Sequence, residues 1–121
     1  MSILLVEDDA VTAEMMGKLI AYEYPGVIIN IANNGVQGLE LFKVYQPGLV
    51  ITDINMQDMG GTEMARAIKS IKGDTEFIVF TGSSDQFHVD NFNEIGVIAY
   101  IVKPVDLGKL FAAIAHSKMN V

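Results

Sequence analysis

Residues 2–9 read Ser-Ile-Leu-Leu-Val-Glu-Asp-Asp, a short apolar run that stops abruptly at three acids. Apolar residues in succession, without polar alternation, fit a strand covered on both faces, as in a parallel sheet. The run Ser2–Val6 is followed by four others of the same kind: Val27–Ala32, Leu49–Thr52, Phe77–Phe80 and Ile98–Val102, all rich in Ile and Val. Between them the period changes to that of a helix. Val11, Met15 and Leu19, with Met16 and Ile20, form one apolar stripe. Met64, Ile68 and Ile71 form a second, and Leu107, Leu110, Phe111 and Ile114 a third. Val36 to Tyr45 reads as a helix anchored by Leu39 and Phe42, although Gly38 costs it about 1 kcal/mol against Ala. Residues 85–95 read as a short helix built from poor formers, with only Phe87, Phe92 and Ile95 on an apolar face. Pro25-Gly26, Asn33-Asn34-Gly35, Pro47-Gly48, Gly60-Gly61, Gly73-Asp74 and Gly96 supply turns between these elements.

Strands and helices in strict alternation are the pattern of βαβ units, and right-handed crossovers leave few ways to arrange them. The expectation is an α/β fold: a doubly wound, five-stranded parallel sheet of order 2-1-3-4-5, forming one domain over residues 1–121. Eight Lys+Arg against fifteen Asp+Glu give a formal charge of −7, which disfavours direct binding to nucleic acid or an anionic membrane. Absence of Cys removes disulfides, thiol catalysis and thiolate-bound metal. The apolar start runs into acids with no basic segment before it, and Val97–Val102 is far short of the ~20 residues of a membrane helix. A soluble, cytoplasmic protein is expected.

In such a sheet the ligand site lies beyond the carboxyl ends of the strands, where strand order reverses. Glu7, Asp8 and Asp9 follow the first strand, Asp53 the third, Thr81 the fourth and Lys103-Pro104 the fifth. With the first and third strands adjacent, Glu7, Asp8 and Asp53 converge, flanked by Thr81 and Lys103. Clustered carboxylates repel unless a charge offsets them. Oxygen ligands without Cys, and with His only at the distant His88 and His116, suit Mg²⁺ or Mn²⁺ better than zinc. A cation, an ammonium and a hydroxyl around a central carboxylate make a phosphoryl clamp, with Asp53 as candidate nucleophile.

Leu4-Leu5-Val6-Glu7-Asp8-Asp9, Thr52-Asp53-Ile54-Asn55-Met56, Thr81-Gly82 and Lys103-Pro104 together resemble the receiver domain family of response regulators, along the whole chain and in order. The 2-1-3-4-5, flavodoxin-like (βα)5 arrangement is also that family's, so it is not an independent expectation. The resemblance implies that Asp53 accepts a phosphoryl group from a phosphohistidine on a sensor histidine kinase or histidine phosphotransfer protein. It implies Mg²⁺ held by Asp8, Asp53 and the backbone carbonyl of Asn55, with Glu7 acting through metal-bound water. Lys103 and Thr81 would contact the phosphoryl group, and Tyr100 would be an aromatic switch that follows Thr81. Pro104 would follow a cis peptide. Helix 85–95, the fifth strand and the last helix would form the output face, with an unknown downstream partner and room for a phosphorylation-dependent homodimer. The family's usual Pro is replaced by Gln57, which would loosen the loop Gln57–Gly61, and the Asp common before the third strand is replaced by Gly48. Asn55 and Ser83 occupy positions that tune dephosphorylation. Such a chain is a signalling switch rather than a metabolic enzyme, stand-alone or excised from a larger regulator.

Plainer readings compete. Asp8 and Asp9 suit the start of a helix, and Asp9 is the expected cap. Asp53 and Thr81-Gly82-Ser83 suit turns, Lys103 a solvated strand end and Tyr100 a packed sheet residue. Met15 and Met16 read as core filler, and His88 and His116 as solvent-facing. A haloacid-dehalogenase-type phosphatase needs an acid where Asn55 stands. A flavodoxin needs a hydroxyl- and glycine-rich loop where the three acids stand. The nearest rival is a receiver-like module that no longer takes phosphate.

Overall fold

The computed structural model describes residues 2–54, 56, 59–82 and 95–117. Its elements are β1 (Ser2–Val6), α1 (Ala10–Glu23), β2 (Ile28–Ala32), α2 (Gly35–Tyr45), β3 (Leu49–Asp53), α3 (Gly61–Ile71), β4 (Glu76–Thr81), β5 (Val97–Val102) and α4 (Leu107–His116). All strand pairs are parallel, in the order β2-β1-β3-β4-β5. The expected helix over 85–95 lies, apart from Ile95, outside the described residues.

Unbroken apolar strands follow from the two layers they serve. Ile3, Leu5, Ile51 and Ile78 face one core with Met16 and Ile20 of α1 and Leu110 and Ile114 of α4. Their neighbours Leu4, Val6, Val50 and Val79 face the other, with Phe42 of α2 and Met64 and Ile68 of α3. Successive side chains point to opposite faces, so a strand with both faces covered needs an apolar residue at every position. Each fully buried Leu, Ile or Phe contributes roughly 1.5–3 kcal/mol.

The helix faces differ in part from the sequence reading. On α1 the buried residues are Ala13, Met16, Gly17 and Ile20, whereas Val11 is 76%, Met15 57% and Leu19 37% exposed. Met15 is therefore not core filler. The helix carries more apolar surface than one face can bury, and the small Ala13 and Gly17 select the face that approaches the sheet: a Cβ on Gly17 would meet Ile31 Cδ1 at 2.9 Å. Ile71 and Leu107 are likewise exposed, while Ala65 and Ala113 are buried. Gly38 is unfavourable for a helix but required by packing, since a Cβ there would lie 2.8 Å from Met64 Sδ and 3.1 Å from Val6 Cγ2.

Gly61, which begins α3, fixes how closely that helix approaches the end of β3. Its N–H donates to Ile54 O at 3.2 Å, and a Cβ would stand 2.5 Å from Asp53 O. Backbone cannot yield as a side-chain tip can, so Gly61→Ala is expected to cost about 1–3 kcal/mol by overpacking. Chemical denaturation checks this against Gly26→Ala, where a Cβ meets nothing within 4 Å and the change should stay within about 0.5 kcal/mol. Equal costs for the two would refute the packing argument.

Candidate functional site

Four strand ends build the site. β1 leads directly into Glu7, whose N–H donates to Ala32 O of β2 at 3.0 Å. β3 is buried along its whole length and ends on Asp53. The register pairs Val6 with Thr52, setting the Glu7 and Asp53 positions side by side. Carboxylate oxygens of Glu7, Asp8 and Asp53 all lie within 4.8 Å of one another. Glu7 is 6% and Asp53 1% exposed, while Asp8 faces solvent. Asp9 is turned away to cap α1, its Oδ1 accepting from Val11 N at 3.0 Å and Thr12 N at 3.2 Å.

The cation comes from the sheet's edge. Lys103 Nζ is ion-paired with Asp53 Oδ1, and its main-chain N–H donates to Thr81 O at 2.8 Å. Thr81 is buried at the end of β4, and the Lys103–Pro104 peptide is cis. Burial acts to lower the Lys103 pKa, but the hydrogen bond and charge of Asp53, with the charges of Glu7 and Asp8, outweigh it and raise it. Burial also raises Glu7, reinforced by contact with Asp53 and only partly opposed by Lys103, from 4.5 to about 8. One ammonium does not balance three carboxylates.

That surplus is a test of fit for a metal. Glu7 Oε2 and Asp53 Oδ2 are buried and accept no hydrogen bond. A hard divalent cation with oxygen ligands would satisfy both and relieve the repulsion, so the residues suit Mg²⁺ or Mn²⁺. Asn55 and Ser83 lie outside the described residues, as do Gln57 and His88. Tyr100 is half-buried on the edge strand β5, packed against the core under α2 and α3. His116 is exposed at the end of α4.

The sequence model of the response regulator receiver domain matches residues 3–115. The chain belongs to this family. It is 32% identical over 111 residues to the chemotaxis protein CheY of Bacillus subtilis, covering 92% of each. It is 30% identical to a probable C4-dicarboxylate response regulator, DctR, of Priestia megaterium, covering 93% of this chain and 50% of that one. The receiver thus spans about half the length of several curated relatives it matches. Among solved structures, a response regulator receiver domain protein from Clostridium thermocellum superposes with a TM-score of 0.84 at 28% identity, covering 93% of this chain and 90% of that one. Receivers share a phosphoacceptor role in two-component signalling, and the acidic cluster lies where such a site is expected.

Two features of this receiver escaped the sequence. A groove of about 520 Å³ opens beside Glu7 and Asp8 and is walled by Met15, Leu19, Pro104, Val105 and Leu107; the exposed stripe of α1 is one wall. Asn33, read only as a turn residue, donates from Nδ2 to Glu7 O at 3.2 Å. The signal that locates its loop is the capping pattern Asn34-x-x-Gln37, in which Asn34 Oδ1 accepts from Gln37 N at 2.7 Å and Gln37 Oε1 from Asn33 N at 2.8 Å.

The raised Glu7 pKa has a signed consequence. Between 4.5 and about 8 the folded, metal-free receiver keeps a proton that the unfolded chain has released, so Glu7 lowers stability as pH rises through that window. Glu7→Gln cannot ionise. Its stability relative to the wild type in chelator should climb from pH 5 to pH 8 and then level off, measured by denaturant titration at each pH. A difference that does not vary with pH would contradict the assignment.

Proposed function

We propose that this receiver takes a phosphoryl group onto Asp53 from a phosphohistidine in a Mg²⁺-dependent reaction and acts as a switch rather than a metabolic enzyme. The observation that carries this reading is Asp53 itself. It is a buried carboxylate at the end of a central strand, ion-paired to Lys103 and beside two further carboxylates. An Asp53 oxygen attacks phosphorus as the P–N bond of phosphohistidine breaks, and the electron pair returns to the imidazole. The product is an acyl phosphate on Asp53. Mg²⁺ held by Asp8 and Asp53, with Glu7 through water, would neutralise phosphoryl oxygens. Lys103 would contribute a positive charge on the opposite side, and Thr81 a hydroxyl hydrogen bond. The Asn55 carbonyl would complete the metal set. Movement of Thr81 and Lys103 toward the phosphate, followed by Tyr100, would bias an output face formed by residues 85–95, β5 and α4. That face would engage a downstream partner or a second copy.

The donor is a sensor histidine kinase or histidine phosphotransfer protein, and the exposed α1 stripe supports a place for it. Met15 and Leu19, both exposed on α1, border the groove that opens at the acids. An apolar helical partner seated there would bring its histidine to Asp53.

Three measurements test these assignments. Incubation with acetyl phosphate and Mg²⁺ should add one phosphate by intact mass, and Asp53→Asn should abolish the adduct; Asp8→Ala should also remove the rise in Tm that Mg²⁺ gives. No adduct on the wild type, even with a phosphohistidine donor, would favour the inert module. Met15→Asp should slow transfer from a phosphohistidine donor that labels the wild type by at least tenfold, equivalent to about 1.4 kcal/mol. Labelling by acetyl phosphate should be unchanged. Equal slowing with both donors would count against docking on α1.

A further inference from the structure

Glu7 and Asp8 are joined by one peptide group, and the orientation of that group determines where both carboxylates depart from the backbone. Its carbonyl is Glu7 O, which accepts from Asn33 Nδ2 at 3.2 Å. A carbonyl only accepts, so the amide nitrogen of Asn33 must face it. Asn33 is itself held: its N–H donates to Gln37 Oε1 at 2.8 Å, in a corner where Asn34 caps α2. On the other side of Glu7, its N–H donates to Ala32 O at 3.0 Å. The β2–α2 corner therefore grips Glu7 through donor and acceptor together.

We infer that Asn33 is a positioning residue for the divalent-cation site, acting through the Glu7–Asp8 peptide and touching neither metal nor phosphate. The inference rests on the metal reading above. Asn33 itself is exposed and its hydrogen bond to Glu7 O is part-buried, so its loss should cost no more stability than that of an ordinary hydrogen bond. Outer contacts of metal ligands commonly change affinity by about 10–100-fold, and one that works through backbone should fall at the low end of that range or just below it.

The test is a Mg²⁺ titration of the ¹⁵N-labelled chain, following amide shifts of the Glu7–Asp9 turn, with thermal melts in chelator alongside. Asn33→Leu removes the donor at similar size, and Asn33→Ala removes it by truncation. Tyr24→Phe, which deletes the hydrogen bond from Tyr24 OH to Phe111 O at 3.2 Å far from the site, gauges plain destabilisation. Both Asn33 variants should weaken Mg²⁺ binding about threefold to tenfold while melting in chelator no lower than Tyr24→Phe, whose Mg²⁺ affinity should match the wild type. Mg²⁺ affinity within 1.5-fold of wild type in both variants overturns the inference and leaves the metal reading intact. A wild type that binds no Mg²⁺ overturns both. Should Asn33→Leu fail to fold, Asn33→Ala decides alone.

Discussion

Three carboxylates within 4.8 Å of one another are the constraint around which this receiver is arranged. At that separation two unit charges repel by about 3 kcal/mol even in an effective dielectric of ~20, and burial of Glu7 and Asp53 adds a desolvation cost. No local preference brings such groups together. The sheet does, because β1 and β3 are adjacent, in register and sealed on both faces by apolar layers whose burial far exceeds the repulsion. Lys103 offsets one charge, and Glu7 sheds another by holding a proton when no cation is present. A core dense enough to hold unfavourable charges in place is what makes them available to a ligand.

Strand positions were legible because buried parallel strands write themselves as unbroken apolar runs, and the structure moves their ends by at most a residue. The site was legible for a related reason: strand ends are where a doubly wound sheet collects its chemistry, so Glu7, Asp8, Asp53, Thr81 and Lys103 could be gathered by topology before any distance was known. The buried face of α1 was not. Periodicity finds apolar stripes, and α1 has two overlapping ones. The choice between them rests on Ala13 and Gly17, small residues that carry almost no hydropathy signal but allow close approach. Asn33 was hidden for a different reason. A side chain that binds a backbone carbonyl leaves no mark on the identity of its partner, so no pairing of residue types announces it.

α1 divides two tasks between its faces. Met16 and Ile20 lock it to the sheet, and its cap, Asp9, follows directly on Glu7 and Asp8. The outer face lies beside the acids without entering them. Chemistry at the strand ends and contact along the helix are thus carried by different side chains on neighbouring stretches of backbone.

Lys103 follows the outermost strand. β5 is tied by a single ladder, to β4, and the register slips where Phe77 pairs with Val97 but Ile78 with Ala99. β5 is an edge strand with one irregular ladder, whereas β3, bearing Asp53, is paired on both sides. The charge balance at the centre of the sheet is therefore set from its edge, and the ion pair between Asp53 and Lys103 joins the two.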